Sequence, residues 1–152
     1  MHFPRRHLIF FSLTAAVSFL SVSCGNTKVQ ECNQIIQVAN KVVGEVNEIT
    51  NSGQLSNPEV ALQAADTMEK ASPEMEAIEV KDEQLQNYQT NFISMYRDTS
   101  QATRDFIAAF QKKDWQGSEI ASTKLQKATA SETQLVTEIN AYCSTEAATE
   151  EK

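Results

Sequence analysis

Histidine is the first thing missing. Its two copies, His2 and His7, lie in a segment that reads as a leader, so residues 24–152 contain none. That excludes Ser-His-Asp and Cys-His nucleophile systems from this part of the chain. The Glu-x-x-His pairs of di-iron bundles and the Cys-x-x-Cys-His of covalent haem go with them. Glycine is nearly as scarce: Gly25, Gly44, Gly53 and Gly117 are all there are, and they form no phosphate-loop or calcium-loop pattern. Only Pro58 and Pro73 stand beyond the leader, among many Ala, Gln, Glu and Lys, which is a helix-rich composition. Basic charge is also in deficit. Residues 24–152 hold 11 Lys and Arg against 20 Asp and Glu, a net charge of −9. Nucleic acid, whose phosphates demand a basic footprint, is not an expected partner. No enzymatic activity, cofactor or bound metal is expected either.

What is present begins with the leader. Arg5 and Arg6 precede an apolar run from Leu8 to Leu20, and Leu20-Ser21-Val22-Ser23-Cys24-Gly25 follows. A basic start, a short apolar stretch and small residues before a cut define a secretory signal peptide over residues 1–23. The run is too short to span roughly 30 Å of hydrocarbon as a permanent helix. A cysteine directly after the cut is what a bacterial lipoprotein needs, since its thiol takes diacylglycerol and its freed amine an acyl chain. Ser21 stands where such leaders usually carry leucine, and Ser21 with Ser23 also suits ordinary signal peptidase, which would leave Cys24 unmodified. The reading is a protein lipidated at Cys24 and held at the extracytoplasmic face of a membrane, the outer membrane in a Gram-negative cell. Simple secretion is the alternative.

Three cysteines leave one over in an exported chain. If lipid takes Cys24, then Cys32 and Cys143 remain as a pair, in a compartment where disulfides persist. Two separate buried thiols are the alternative.

The 129 residues after the leader suffice for one domain with a real core. Residues 24–31 read as a polar tether, 32–143 as the folded region, and 144–152 as a disordered acidic tail. From Cys32 the apolar positions Ile35, Ala39, Val42, Val46 and Ile49 recur at steps of three and four, which predicts a helix stopped by Asn51-Ser52-Gly53. Ser56 with Glu59 fits a capping box for a second helix, with Pro58 early and Pro73 as a kink or a restart. Asp82 is placed to cap a third helix, whose stripe runs Leu85, Tyr88, Phe92, Met95, Thr99, Ala102 and Phe106. Asp114 is placed to cap a fourth, expected to run unbroken through Ala121, Leu125 and Leu135 to Tyr142. Its middle, Ala121–Thr133, is rich in small residues, and Glu132 falls on its stripe.

Four helices with short connections predict an all-α, up-down-up-down four-helix bundle, with a three-helix bundle and a poorly packed segment 58–80 as the alternative. In the four-helix topology Cys32 and Cys143 fall at one end, so a disulfide would close the bundle there. Helix 3 would lift the opposite end about 45 Å away. That tip carries Lys112, Lys113 and Trp115, a combination that marks interface anchors. The competing reading has Trp115 plugging the core and the lysines favouring the end of helix 3 through its dipole. Met68 and Met75 on one stripe suit core packing better than soft-metal binding. Glu69, Glu74, Glu76, Glu79, Asp82 and Glu83 suit a solvated face better than a cation site.

A cysteine opening helix 1, in Cys32-Asn33-Gln34-Ile35-Ile36, and Tyr142-Cys143 closing helix 4, behind a lipoprotein leader, resemble the small helical lipoproteins of cyanobacteria. The resemblance covers most of the chain and implies a compartment and a fold; that family has no assigned activity. In broad architecture the chain also resembles the helical-bundle lipoproteins that assist photosystem assembly, without their diagnostic motifs. The expected function is that of a lipid-anchored binding or assembly factor with a protein partner. A carrier of small ligands, with the small-residue stretch of helix 4 lining a cavity, is the alternative.

Overall fold

The computed structural model describes residues 25–51 and 57–147. Cys24, the leader and residues 148–152 lie outside them. Five helices make four legs: α1 (Gly25–Ile49), α2 (Pro58–Glu76), α3 (Glu83–Gln111), and a fourth leg divided into α4 (Trp115–Thr129) and α5 (Glu132–Ala147). The chain is an all-α, up-down-up-down four-helix bundle. Contacts between neighbouring legs fix the antiparallel order: Glu31 meets the Lys81 N–H at 3.2 Å while Lys41 of α1 meets Glu74 of α2 at 2.8 Å, Arg97 and Arg104 of α3 meet Glu76 and Asp66 of α2 at 2.7 and 2.6 Å, and Lys124 of α4 lies 3.5 Å from Asp105 of α3 across a short turn. Cys32 and Cys143 close it, with their sulfurs 2.09 Å apart and their Cα atoms 5.9 Å apart. Among the described residues no helix is long and apolar enough to cross a membrane.

The core is uneven along its length. Towards the disulfide end it is built from large side chains, with Ile35, Met75, Leu85 and Phe92 fully buried beside Leu135 and Ile139. Towards the other end the buried positions are mostly small, Ala61, Ala64, Ala65, Ala102, Ser118 and Ala121, with Ile107 the large side chain among them. Small residues let α2, α3 and α4 approach closely there, and α3 packs extensively on both neighbours.

Several expectations are corrected. Segment 58–80 is not poorly packed: α2 buries Ala61, Ala64, Ala65, Ala71, Ser72 and Met75, which removes the three-helix alternative. The cap of α2 is Asn57 rather than Ser56. Asn57 has extended backbone (φ −157°, ψ 167°), and its side-chain oxygen accepts the Val60 N–H at 2.9 Å. Pro73 does not restart the helix: α2 runs through it to Glu76, and the Ser72 hydroxyl, instead of capping a new helix, donates to the Met68 carbonyl at 3.3 Å. Residues 25–31 are helical rather than a tether. Lys28 and Glu31 both find partners on other legs and carry α1 back to Gly25. The supposed tail likewise stays helical to Ala147. The fourth helix breaks at Ala130–Ser131. Thr129 spends its hydroxyl on the Leu125 carbonyl at 3.1 Å, the Ala130 N–H reaches only Lys127 in a tightened turn, and the helix restarts as Leu135 N–H bonds the Ser131 carbonyl.

Candidate functional site

Three regions bring chemistry-bearing side chains together: the tip, the base and a cleft between them.

The tip is a three-residue corner, Lys112–Asp114, joining α3 to α4. The Lys113 N–H bonds the Phe110 carbonyl at 3.0 Å and the Asp114 N–H bonds the Ala109 carbonyl at 2.9 Å, which together make a Schellman motif. Its left-handed position is filled by Lys113, at φ 58°. Glycine is the usual occupant, because a side chain there costs on the order of 1 kcal/mol. Asp114 then caps α4, accepting the Gly117 N–H at 2.9 Å. Phe106 stacks on Phe110 at 6.2 Å between centroids, and Trp115 meets Phe110 edge-on at 6.1 Å. This ladder runs outward. Trp115 is 67% exposed, Ile120 53% and Phe110 49%, with Lys112 and Lys113 exposed beside them. Trp115 does not plug the core, and the structure brings Lys112, Lys113 and Trp115 to one surface.

The base is the disulfide end. Glu31, 4% exposed, reaches from α1 to accept the N–H groups of Lys81 and Asp82, each at 3.2 Å, and so holds the turn that opens α3. Asp82 caps α3 through the Leu85 N–H at 2.9 Å, and its carboxylate accepts the Tyr142 hydroxyl at 3.0 Å. Lys28 lies 4.0 Å above the Tyr142 ring and 3.9 Å from Asp82. Burial pushes the Asp82 carboxyl up. The Leu85 N–H, the Tyr142 hydroxyl, the Lys28 charge and the Gln84 N–H together outweigh it and hold the group below the usual carboxylate range. Sequence reasoning missed Glu31, which looked like part of a solvated segment.

Four acidic residues of α2 are answered within the chain. Glu69 and Asp66 bind Arg104, Glu74 binds Lys41 and Glu76 binds Arg97. The Arg104 guanidinium is held above its usual range, chiefly by its hydrogen bond to Asp66. Among the described residues no group of three or more His, Cys, Asp or Glu side chains is placed to hold a metal ion. Met75 is fully buried in the core, while Met68 lines the cleft.

The cleft opens between α1, α3 and α5 and has a volume of about 360 Å³. It exists because α4 packs on α3, so that within the fourth leg the contact with α1 comes chiefly from α5. Phe92, Met95, Tyr96 and Thr99 of α3 form its floor, Ile36, Val42 and Val46 one wall, and Ile139 and Val136 the other. Asn40, Asn47, Asn140 and Glu132 stand at the exposed rim. From the small-residue stretch of the fourth leg only Thr129 and Glu132 contribute, both beside the break. Tyr96 is 5% exposed; burial first, and then the Glu132 charge, raise its phenol far enough to keep it protonated. The Thr99 hydroxyl, also on the floor, has no hydrogen-bond partner among the described residues.

No protein-family model, no curated protein and no solved structure matches the chain.

Proposed function

We propose that the protein is a binding or assembly factor, held by a lipid on Cys24 at the extracytoplasmic face of a membrane and docking a protein partner at its tip. The observation that carries this reading is the outward aromatic ladder ending in Trp115, at the end of the bundle remote from the disulfide. An exposed tryptophan flanked by basic residues is the composition of an interface anchor. Lys113 adds support, since a lysine in a left-handed position costs stability that glycine would not. The base, with α1 entering beside Cys32, faces the anchor, and a 29-residue α3 sets the tip about 43 Å away. Capture from intact membranes tests this. Lys113→Gly is expected to stabilise the fold by about 1 kcal/mol and Trp115→Ala to change it by less than about 0.5 kcal/mol, while both lose the partner. If both variants retain the proteins that the wild type retains, the tip is not the docking surface. A second reading, a carrier of small ligands, is favoured by the cleft.

A further inference from the structure

We infer that the cleft between α1, α3 and α5 is a binding site for a small apolar molecule, neutral or cationic, that hydrogen-bonds to Thr99 through one polar group. This inference does not rest on the tip.

Two independent observations support it. The first is the cavity itself, which reaches the large-residue core and is floored by Phe92, Met95 and Tyr96. Its volume of about 360 Å³ lies at the small end of the range of ligand sites. An apolar cavity of ~150 Å³ takes one benzene. By that scale this one suits a molecule of about two to three rings, or a short branched chain of similar bulk.

The second observation is Thr99. Four helical threonines in this protein return their hydroxyls to the carbonyl four residues back: Thr90 to Gln86, Thr123 to Glu119, Thr129 to Leu125 and Thr137 to Thr133. Thr99 does not. It is 5% exposed and lines the cleft, and its hydroxyl oxygen is buried and unpartnered among the described residues, so a turn of the side chain about χ1 is what brings that oxygen to a ligand. A buried hydroxyl without a partner is costly, and a ligand bearing one nitrogen or oxygen at that depth would supply the partner. The neighbouring phenol of Tyr96 stays protonated and adds no charge. At the mouth stands Glu132, whose carboxylate disfavours an anionic ligand and accepts a neutral or cationic one. The chain as a whole is acidic and points the same way.

The test uses the full chain carrying Cys24→Ala, which removes the lipid attachment and the need for detergent. Two dyes of matched skeleton serve as probes: phenylnaphthylamine, which is neutral with one N–H, and anilinonaphthalene sulfonate, which is its anionic counterpart. Phenylnaphthylamine is expected to bind saturably, one per chain. Val136→Trp, which closes the mouth from an exposed position, abolishes that binding with the thermal midpoint unchanged; Ala39→Phe is the second closure. Thr99→Val weakens it roughly five-fold, the worth of one hydrogen bond. The anionic dye binds more weakly, and Glu132→Gln narrows the gap between the two. The proposal is overturned if neither closure variant reduces binding, or if Trp115→Ala abolishes it and so places the dye at the tip. It is also overturned if neither dye binds saturably, or if Thr99→Val leaves affinity unchanged.

Discussion

Removing the disulfide is expected to loosen one leg of the bundle before the others. α5 buries two large side chains, Leu135 and Ile139. At about 1.5–3 kcal/mol each, they contribute about 3–6 kcal/mol. The crosslink closes a loop of 111 positions, which in the chain-entropy account contributes about 4–5 kcal/mol. The bond is therefore worth about as much as the core contacts that dock α5. α2 and α3 make far more contact with each other and do not depend on it. Cys32→Ala with Cys143→Ala is expected to lower unfolding free energy in urea by about 4–5 kcal/mol, out of the ~5–15 kcal/mol typical of domains. Wild type reduced with dithiothreitol separates the lost crosslink from the small void left at buried Cys32. By hydrogen exchange, α5 amides lose protection first, while α2 and α3 keep theirs. A double variant within about 1 kcal/mol of the oxidised protein, or α5 protected as strongly as α3, would refute the reasoning.

Acid reports on the base. The folded-state pKa of Asp82 is depressed, so its contribution is fully present above the unfolded value of about 3.9 and is lost as pH falls through the lower folded value. Tyr142→Phe is expected to cost about 1.5 kcal/mol at pH 7, a difference that closes below about pH 4 in acid titrations followed by circular dichroism; a gap that persists undiminished to pH 2 contradicts this. At the tip, a Cβ on Gly117 would lie 2.3 Å from Asp114 Oδ2 and 3.3 Å from Ala109 Cβ. Gly117→Ala therefore displaces the cap and is expected to lower stability by about 1 kcal/mol, where helix preference alone predicts a gain of about 0.5–1 kcal/mol. Adding Asp114→Ala should then cost little more in the same urea assay, because the cap is already gone.

Much of this architecture was legible because it depends on local chemistry. Asp82 and Asp114 cap the helices that their positions predict, and the stripe of α3 is buried along most of its length. The pairing of Cys32 with Cys143 followed from an odd cysteine and a topology. The break in the fourth leg had a local signal too: Ser131 and Gln134 fit a capping pattern, but the apolar spacing ran through them and masked it. Glu31 and Thr99 were beyond reach for another reason. Glu31 acts on N–H groups 50 positions away, and nothing near it in sequence announces them. Thr99 lies on a core stripe, where spacing says that it is buried but not whether its hydroxyl is satisfied. The cleft depends on where two legs fail to meet, and that is set by the break and by the packing of α4 on α3.

The divided fourth leg also orders assembly in time. As the chain is made, α2, α3 and α4 can pack on one another as soon as each appears, because every large contact among them joins neighbours in sequence. α1 arrives first yet closes last: Cys32 must wait for Cys143, near the end of the chain. Through that interval the parts of α1 and α3 that α5 will cover stay open, and Cys32 is a free thiol with Cys24 eight residues away. A modification that takes Cys24 out of thiol chemistry before Cys143 emerges would leave Cys32 a single choice.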